Sequence, residues 1–444
     1  MEEEAHGIII VGGGIVGLAT ALALHRKGIA SLVLEKSETL RADGVAIGVH
    51  ANGWRVLEQL GVAAELRETA NLITAYHDVW QQRNNKTSQL PIRLVQQVWQ
   101  RRNKTSQLPI RKELRNLKRK DLIETMAKNL PSGAIRFGCH VVAIHQDHGT
   151  HGAILTTVDG CTIKAKVYLH IHASDRIQER NGHRFLSFCL FLCIKLFIDL
   201  DAQVLIGCDG ANSVVAKYLG LSAPKTIHRT VFRGFTRYPH GHPFSTEFLR
   251  LKGDEFFVGR IPITHNLVQS LVITPIPPTG RITKDVIATK DSVVEKLRAE
   301  DCPSDVIEML RNSDPETLNV VNNIWYRPPW QVAFGTFHKG VVTVAGDAMH
   351  VMGPFIGQGG SSGLEDAVVL ARSLSRAAAG DYSVAIEEYV RERRPRVALV
   401  SLESFVFGML GSAKSLVTKL ACIVFLALLG NRSFRHANYD CGRL

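Results

Sequence analysis

No two of the eight cysteines form a CxxC pair. Cys189 and Cys193 are spaced CxxxC in a greasy run, with no histidine at metal spacing. A metal centre is therefore not expected, and a reducing compartment is. The start, Met-Glu-Glu-Glu, lacks a basic segment, so neither a secretory nor a transit peptide is expected. Long apolar runs are also missing. Residues 185–200 contain Lys195 and Asp199, and residues 416–429 contain Lys419. Both fall short of the roughly 20 apolar residues that cross a bilayer. The second is read as a buried helix or one lying on a membrane surface. Aromatic residues make up only 7% of the chain, and no basic-aromatic module is visible. The net charge of +12 is therefore read as attraction for small anions and not for nucleic acid.

What is present is ordinary globular composition over 444 residues, enough for two domains sharing a large core. Residues 8–11 (IIIV) read as a buried strand, followed at once by Gly12-Gly13-Gly14-Ile15-Val16-Gly17 and an apolar helix. A second strand, 32–34, ends in Glu35, with Lys36 beside it. This is a βαβ start carrying G-x-G-x-x-G. Gly12 permits the turn, Gly14 lets backbone approach a pyrophosphate, and Gly17 lets the helix pack on the sheet. The helix N-terminus offers free N–H groups to phosphates, and Glu35 can accept from a ribose diol. The pattern indicates a dinucleotide without distinguishing FAD from NAD. There is no second copy of it, so a separate, permanent NAD(P)H domain is not expected.

Far down the chain stands a second block. A strand over 341–345 leads into Gly346-Asp347-Ala348-Met349-His350, then Pro354, Gly357-Gln358-Gly359-Gly360 and Glu365-Asp366-Ala367, with a helix expected over 362–379. Asp347 suits the ribitol hydroxyls of a flavin. The bare backbone at Gly357, Gly359 and Gly360 suits the edge of its ring, where a helix N-terminus stabilises the anionic reduced form. His350 is a candidate acid or base, with a structural role fixing the loop as the alternative.

With Cys208-Asp209-Gly210-Ala211-Asn212-Ser213 between them, these motifs resemble the FAD-dependent aromatic hydroxylases, the group A flavin monooxygenases. Within that family the chain is similar to plant monooxygenases related to salicylate hydroxylase, and the tail 436–442 (HANYDCG) fits that branch. The resemblance implies that Arg119, in the RxxL context Arg119-Lys120-Asp121-Leu122, contacts FAD. It implies that Arg115 lies near the flavin and that Asp209 and Gly210 help hold FAD and NAD(P)H. Ser361 stands where many relatives have Asn. It further implies that NAD(P)H binds transiently and reduces FAD, and that O₂ then forms a C4a-hydroperoxide that hydroxylates a small, aromatic substrate. Arg115, His350 and Arg233 are the candidate catalytic side chains, with no obligatory nucleophile, and Tyr238 is a candidate lining residue. The halogenase pattern WxWxIP is missing. A flavin oxidase of the same fold, or a catalytically impaired FAD-binding product, is the alternative.

The expected architecture is α/β. A discontinuous Rossmann-like FAD-binding domain (1–78, 112–226 and 330–380) carries an inserted β-sheet substrate domain (227–329) and a C-terminal helical region (381–444). Two segments look foreign. Residues 82–93 (QRNNKTSQLPIR) recur at 100–111, differing only at Asn84 and Arg102, so 82–99 reads as a tandem duplication. Residues 167–203 interrupt what would be one strand, IKAK-VLIGCDG, with a run lacking periodicity. Val codons begin GT and Gln can be CAG, the ends of an unspliced intron, so the segment reads as retained intron, a genuine surface insertion being the alternative. The cytoplasm is the expected compartment, with membrane contact through the C-terminal helices.

Overall fold

The computed structural model describes residues 7–40, 45–80, 105–109, 113–146, 153–158, 160, 162–165, 197–198, 203–253, 256–275, 286–377, 381–413, 415–429 and 436–444. The first copy of the repeat and most of 167–203 lie outside the described residues.

A six-stranded sheet forms the centre, ordered His338–Lys339, Val342–Val344, Val204–Gly207, Ile8–Val11, Ser31–Leu34 and Ile135–Arg136. All but the first of these run parallel. Strands covered on both faces need no polar alternation, which is why they read as short apolar runs. Parallel pairing brings the carboxyl ends of strands distant in sequence to one edge, and each motif follows one of those ends. The fingerprint helix Ile15–Arg26 is rich in Ala and Leu and has high helix propensity. It is buried from Gly17 to Leu24. One side meets the sheet and another meets the helix Gly359–Ser375. Being covered on two sides, it shows no amphipathic stripe.

A seven-stranded sheet forms the second layer, ordered Asn319–Tyr326, Lys225–Arg237, Leu267–Pro275, Phe257–Thr264, Glu247–Lys252, Ala75–Trp80 and Thr105–Pro109. It is wider than the expected 227–329 domain. Ala75–Trp80 pairs parallel with Glu247–Lys252, and Thr105–Pro109, from the second repeat copy, pairs antiparallel at the edge. Alternation of side chains across the strands splits this sheet cleanly. Phe232, Leu249, Leu251, Val258, Val268 and Val272 pack under the helices Val286–Ala299 and Ser304–Arg311. The other face, with Phe235, Gln269 and Ile261, meets the first domain through Val45, Asn116 and Leu114. The two halves of the interrupted strand enter different sheets. Thr162–Ala165 joins a small four-stranded sheet, while Val204–Gly207 joins the central one. The long helix Tyr382–Ser412 and the last helix Leu416–Leu429 complete the C-terminal region.

Candidate active site

Three segments separated by up to 330 positions meet at the carboxyl edge of the parallel sheet. After Ile8–Val11 the chain turns at Gly12, whose φ of 104° lies in the left-handed region. A Cβ there would come within 2.6 Å of the Cys208 carbonyl oxygen, so the fingerprint and the Asp209 motif are in backbone contact. A Cβ at Gly17 would collide with the Gly12 carbonyl oxygen, which lets the helix close on the turn. Val16 points to the third motif. Its Cγ2 would lie 2.6 Å from a Cβ on Gly346 and 2.5 Å from one on Gly363. Gly363 is four residues, just over one helical turn, from Gly359, a rise of about 6 Å. Val16 is thus a packing link between the two nucleotide motifs.

The residues present fit FAD. A Cβ built on Gly14 meets nothing within 4 Å, so open space lies before the helix. The N-terminus there has no side-chain cap and no acidic residue in its first turn, leaving N–H groups and partial positive charge for a pyrophosphate. Glu35 is buried at the end of Ser31–Leu34 and accepts from Gly13 N (2.7 Å) and Ser37 N (3.0 Å). Each oxygen keeps a lone pair for a ribose hydroxyl. Lys36, next to it, is exposed. Asp209 accepts from Val214 N at 2.7 Å through Oδ2, while its enclosed Oδ1 has no partner. A Cβ on Gly210 would meet nothing within 4 Å. Pro354 and Gly357 are exposed. The helix Gly359–Ser375 likewise begins with neither side-chain cap nor early acidic residue, giving a second open positive end.

Loss of water raises the Asp347 carboxyl above the ordinary range, against the pull of His350 and Arg119. Arg119 is therefore close to Asp347. It is also close to Arg233, whose guanidinium is pushed down first by burial and then by the Arg119 charge. Arg119 is thus within electrostatic reach of both.

Two other candidates go elsewhere. His350 has no exposed surface; its Nε2 sits 2.6 Å from Asp366 Oδ2, which also accepts from Gly346 N at 2.9 Å. A side chain so enclosed cannot touch substrate, so the acid or base role is replaced by the structural one. Arg115 is committed to Glu113 (2.7 Å) and the Ala70 carbonyl (3.1 Å), with Trp54 at 6.0 Å. That geometry gives it a bracing role. Tyr238 packs edge-on against Phe244 on the helix-covered side of the second sheet.

Beneath the flavin-loop helix lies a polar cluster that the motifs did not announce. Arg393 bridges Glu365 (2.8 Å) and Asp366 (2.7 Å), all three with no exposed surface. Arg396 meets Glu365 at 3.1 Å, and Asn52 links Glu365 (2.6 Å) to Gln358 (2.9 Å). Its sequence signal was an acidic pair inside an apolar helix together with the arginine-rich stretch 391–396.

His50 was also missed. It ends the strand Ala46–His50, with Nε2 at 3.3 Å from where a Gly357 Cβ would stand. Enclosure by protein, and then the nearby His436, lower it from 6.5 to about 4. The unfolded chain therefore takes up a proton between these values that the folded chain refuses. Stability is full above pH 6.5 and declines as pH falls toward 4. Urea unfolding at stepped pH checks this; the His50→Gln variant shows a flatter profile across that window.

This fold, with its nucleotide motifs converging at the carboxyl edge of a parallel sheet, is that of a flavoprotein. The chain belongs to the FAD binding domain family, which matches residues 6–168 and 198–404, and to its branch of FAD-dependent aromatic hydroxylases. It is 39% identical to Monooxygenase 1 of Arabidopsis thaliana, covering 99% of this chain and 100% of that protein. It is 31% identical to Monooxygenase 2 of the same plant, covering 100% of both. The structure of Klebsiella pneumoniae HpxO, complexed with FAD and uric acid, superposes with a TM-score of 0.68 at 20% identity, covering 99% and 97% of the two chains.

Proposed function

We propose that this FAD-dependent monooxygenase uses NAD(P)H and O₂ to hydroxylate a small aromatic substrate that carries a carboxylate. The observation that carries the substrate class is Arg233. It lies on the face of the second sheet that meets the FAD-binding domain, beside Arg119, and its buried Nε has no hydrogen-bond partner. Two guanidiniums repelling one another, one of them incompletely bonded, favour an anionic ligand between them. The HpxO structure holds uric acid, which supports a small heterocyclic ring as the ligand type, while the carboxylate rests on Arg233.

When bound, FAD supplies the hydride acceptor and the oxygen-activating centre. The chain's own residues bind and orient. The N–H groups at Gly14 to Val16 hold phosphate; Glu35 and Asp347 hold hydroxyls. Asp209, through its unpartnered Oδ1, receives a further donor of the cofactor. The positive helix end at Gly359 and Gly360 would stabilise negative charge on the ring system. The second sheet covers the site and limits water. His350 holds no exchangeable role at the substrate.

The test is NAD(P)H oxidation and O₂ uptake screened against phenolic and heterocyclic acids, with the product analysed. Substrate-dependent consumption and a hydroxylated product are expected. Hydrogen peroxide as the only product would replace this reading with a flavin oxidase. Arg233→Met raises KM for the acid ~10- to 100-fold, the worth of one charged hydrogen bond, and leaves an uncharged analogue unaffected.

The segment 167–203 is proposed to be an insertion foreign to this enzyme, a reading supported by the family match, which passes over 169–197. Its apolar character favours aggregation, and loop closure alone would not prevent folding. A transcript compared with genomic DNA tests it: a splice junction at its ends supports the reading, and one elsewhere removes it.

A further inference from the structure

We propose that the last helix, Leu416–Leu429, docks the protein onto the surface of a membrane rich in anionic lipid. The helix turns one face inward, where Cys422, Ile423 and Leu426 are buried; Cys422 and Leu426 pack against Val406 of the long helix. Its outward face consists of Leu416, Val417, Leu420, Ala421, Val424, Ala427 and Leu428, every one exposed and apolar. Val417 is 76% and Leu428 81% exposed. A solvent-facing helix surface is ordinarily polar, so one without a single polar residue marks a surface that is covered in use.

Charge says what covers it. From Ser404 through Tyr439 the sequence has no Asp or Glu, while it has Lys414, Lys419, Arg432 and Arg435. A sequence whose only charges are positive, running through and on either side of an apolar helix, is the pattern that binds an anionic bilayer interface. Among the described residues no helix is long and apolar enough to cross a membrane. With 14 residues the last helix spans about 21 Å against a hydrocarbon core of ~30 Å, so it lies along the surface. Trp330, half-exposed, stands edge-on to Phe405, a residue of the cluster that seats this helix, and Lys225 lies 5.6 Å over its ring. A tryptophan with a lysine at its side suits the headgroup level.

The experiment is flotation of the full-length, FAD-loaded protein with vesicles of phosphatidylcholine alone or containing phosphatidylserine. The wild type is expected to float with the anionic vesicles and to lose most of that binding in high salt. The V424E/L428E variant changes only exposed positions and is expected to keep its flavin while binding at least ~10-fold less lipid. Wild-type protein remaining unbound at lipid excess would overturn the proposal. So would a wild-type dimer that V424E/L428E converts to monomer without any vesicle binding, since the face would then join two copies. Should that variant lose its flavin, the wild-type comparison of the two vesicle types and of salt decides alone.

Discussion

Gly14→Asp leaves the apoprotein folded and removes FAD. Gly14 is the N-cap of the fingerprint helix, with φ −79° and ψ −173°, a conformation open to any residue. A Cβ there meets nothing within 4 Å. Asp is among the favoured N-cap residues, so the apo chain is neutral or slightly stabilised. The same carboxylate would occupy the space before the helix, where the pyrophosphate is to sit. Two like charges about 4 Å apart near a protein surface repel by about 4 kcal/mol. That lowers FAD affinity about 1,000-fold. Fluorescence titration with FAD and a melting curve of the apoprotein separate the effects: affinity collapses and the melting temperature does not fall. Loss of both together would mean that Gly14 is a packing residue.

Arg393→Met destabilises the protein by about 3–5 kcal/mol, a large part of a typical folding free energy of about 5–15 kcal/mol. The wild-type guanidinium is wholly enclosed between Glu365, Asp366 and the Ser362 carbonyl. Removing it leaves two buried carboxylates side by side, with Arg396 and His350 as the cationic partners seen among the described residues. Burial alone would raise Asp366; His350 and Arg393 reverse this and hold it at about 2. Its contribution is thus complete above the ordinary carboxylate range and is lost as pH falls through about 2. In the variant this pair takes up a proton at higher pH, so acid unfolding begins earlier. Arg393→Lys keeps the charge but not the planar fork that spans both acids, and recovers only part of the loss. Urea midpoints at neutral and acid pH check all three proteins. A change below about 1 kcal/mol at neutral pH would show that the cluster is not a structural anchor.

The nucleotide-binding half was legible because its signals are local. Gly12, Gly17 and Glu35 lie close together in sequence, and each is required by a turn or a contact that spacing reveals. The second half was only partly legible. A helix was expected from about residue 362, yet it begins at Gly359. Glycines have low helix propensity, so pattern alone discounts them. What favours them is tertiary: a Cβ on Gly360 would stand 2.6 Å from Ile47 Cδ1.

Long-range pairing hid the rest. Nothing local to Ala75–Trp80 shows that it joins a strand near residue 250, and so the second sheet was drawn too small. His350 looked chemical because histidine beside a cofactor motif usually invites that reading. Its partner Asp366 is 16 residues on, and only the fold brings the two into one enclosed pair. Arg393 stood out only as one of several arginines in 391–396, since a buried guanidinium becomes visible only once its two acids are placed.

A crystal structure of the full-length chain grown with FAD tests the central claim most directly. One FAD per chain is expected, its pyrophosphate on the N–H groups of residues 14–16, its ribityl chain at Asp347 and its ring against residues 357–360. A flavin held at only one of these ends, with the other facing an unrelated surface, would contradict the account.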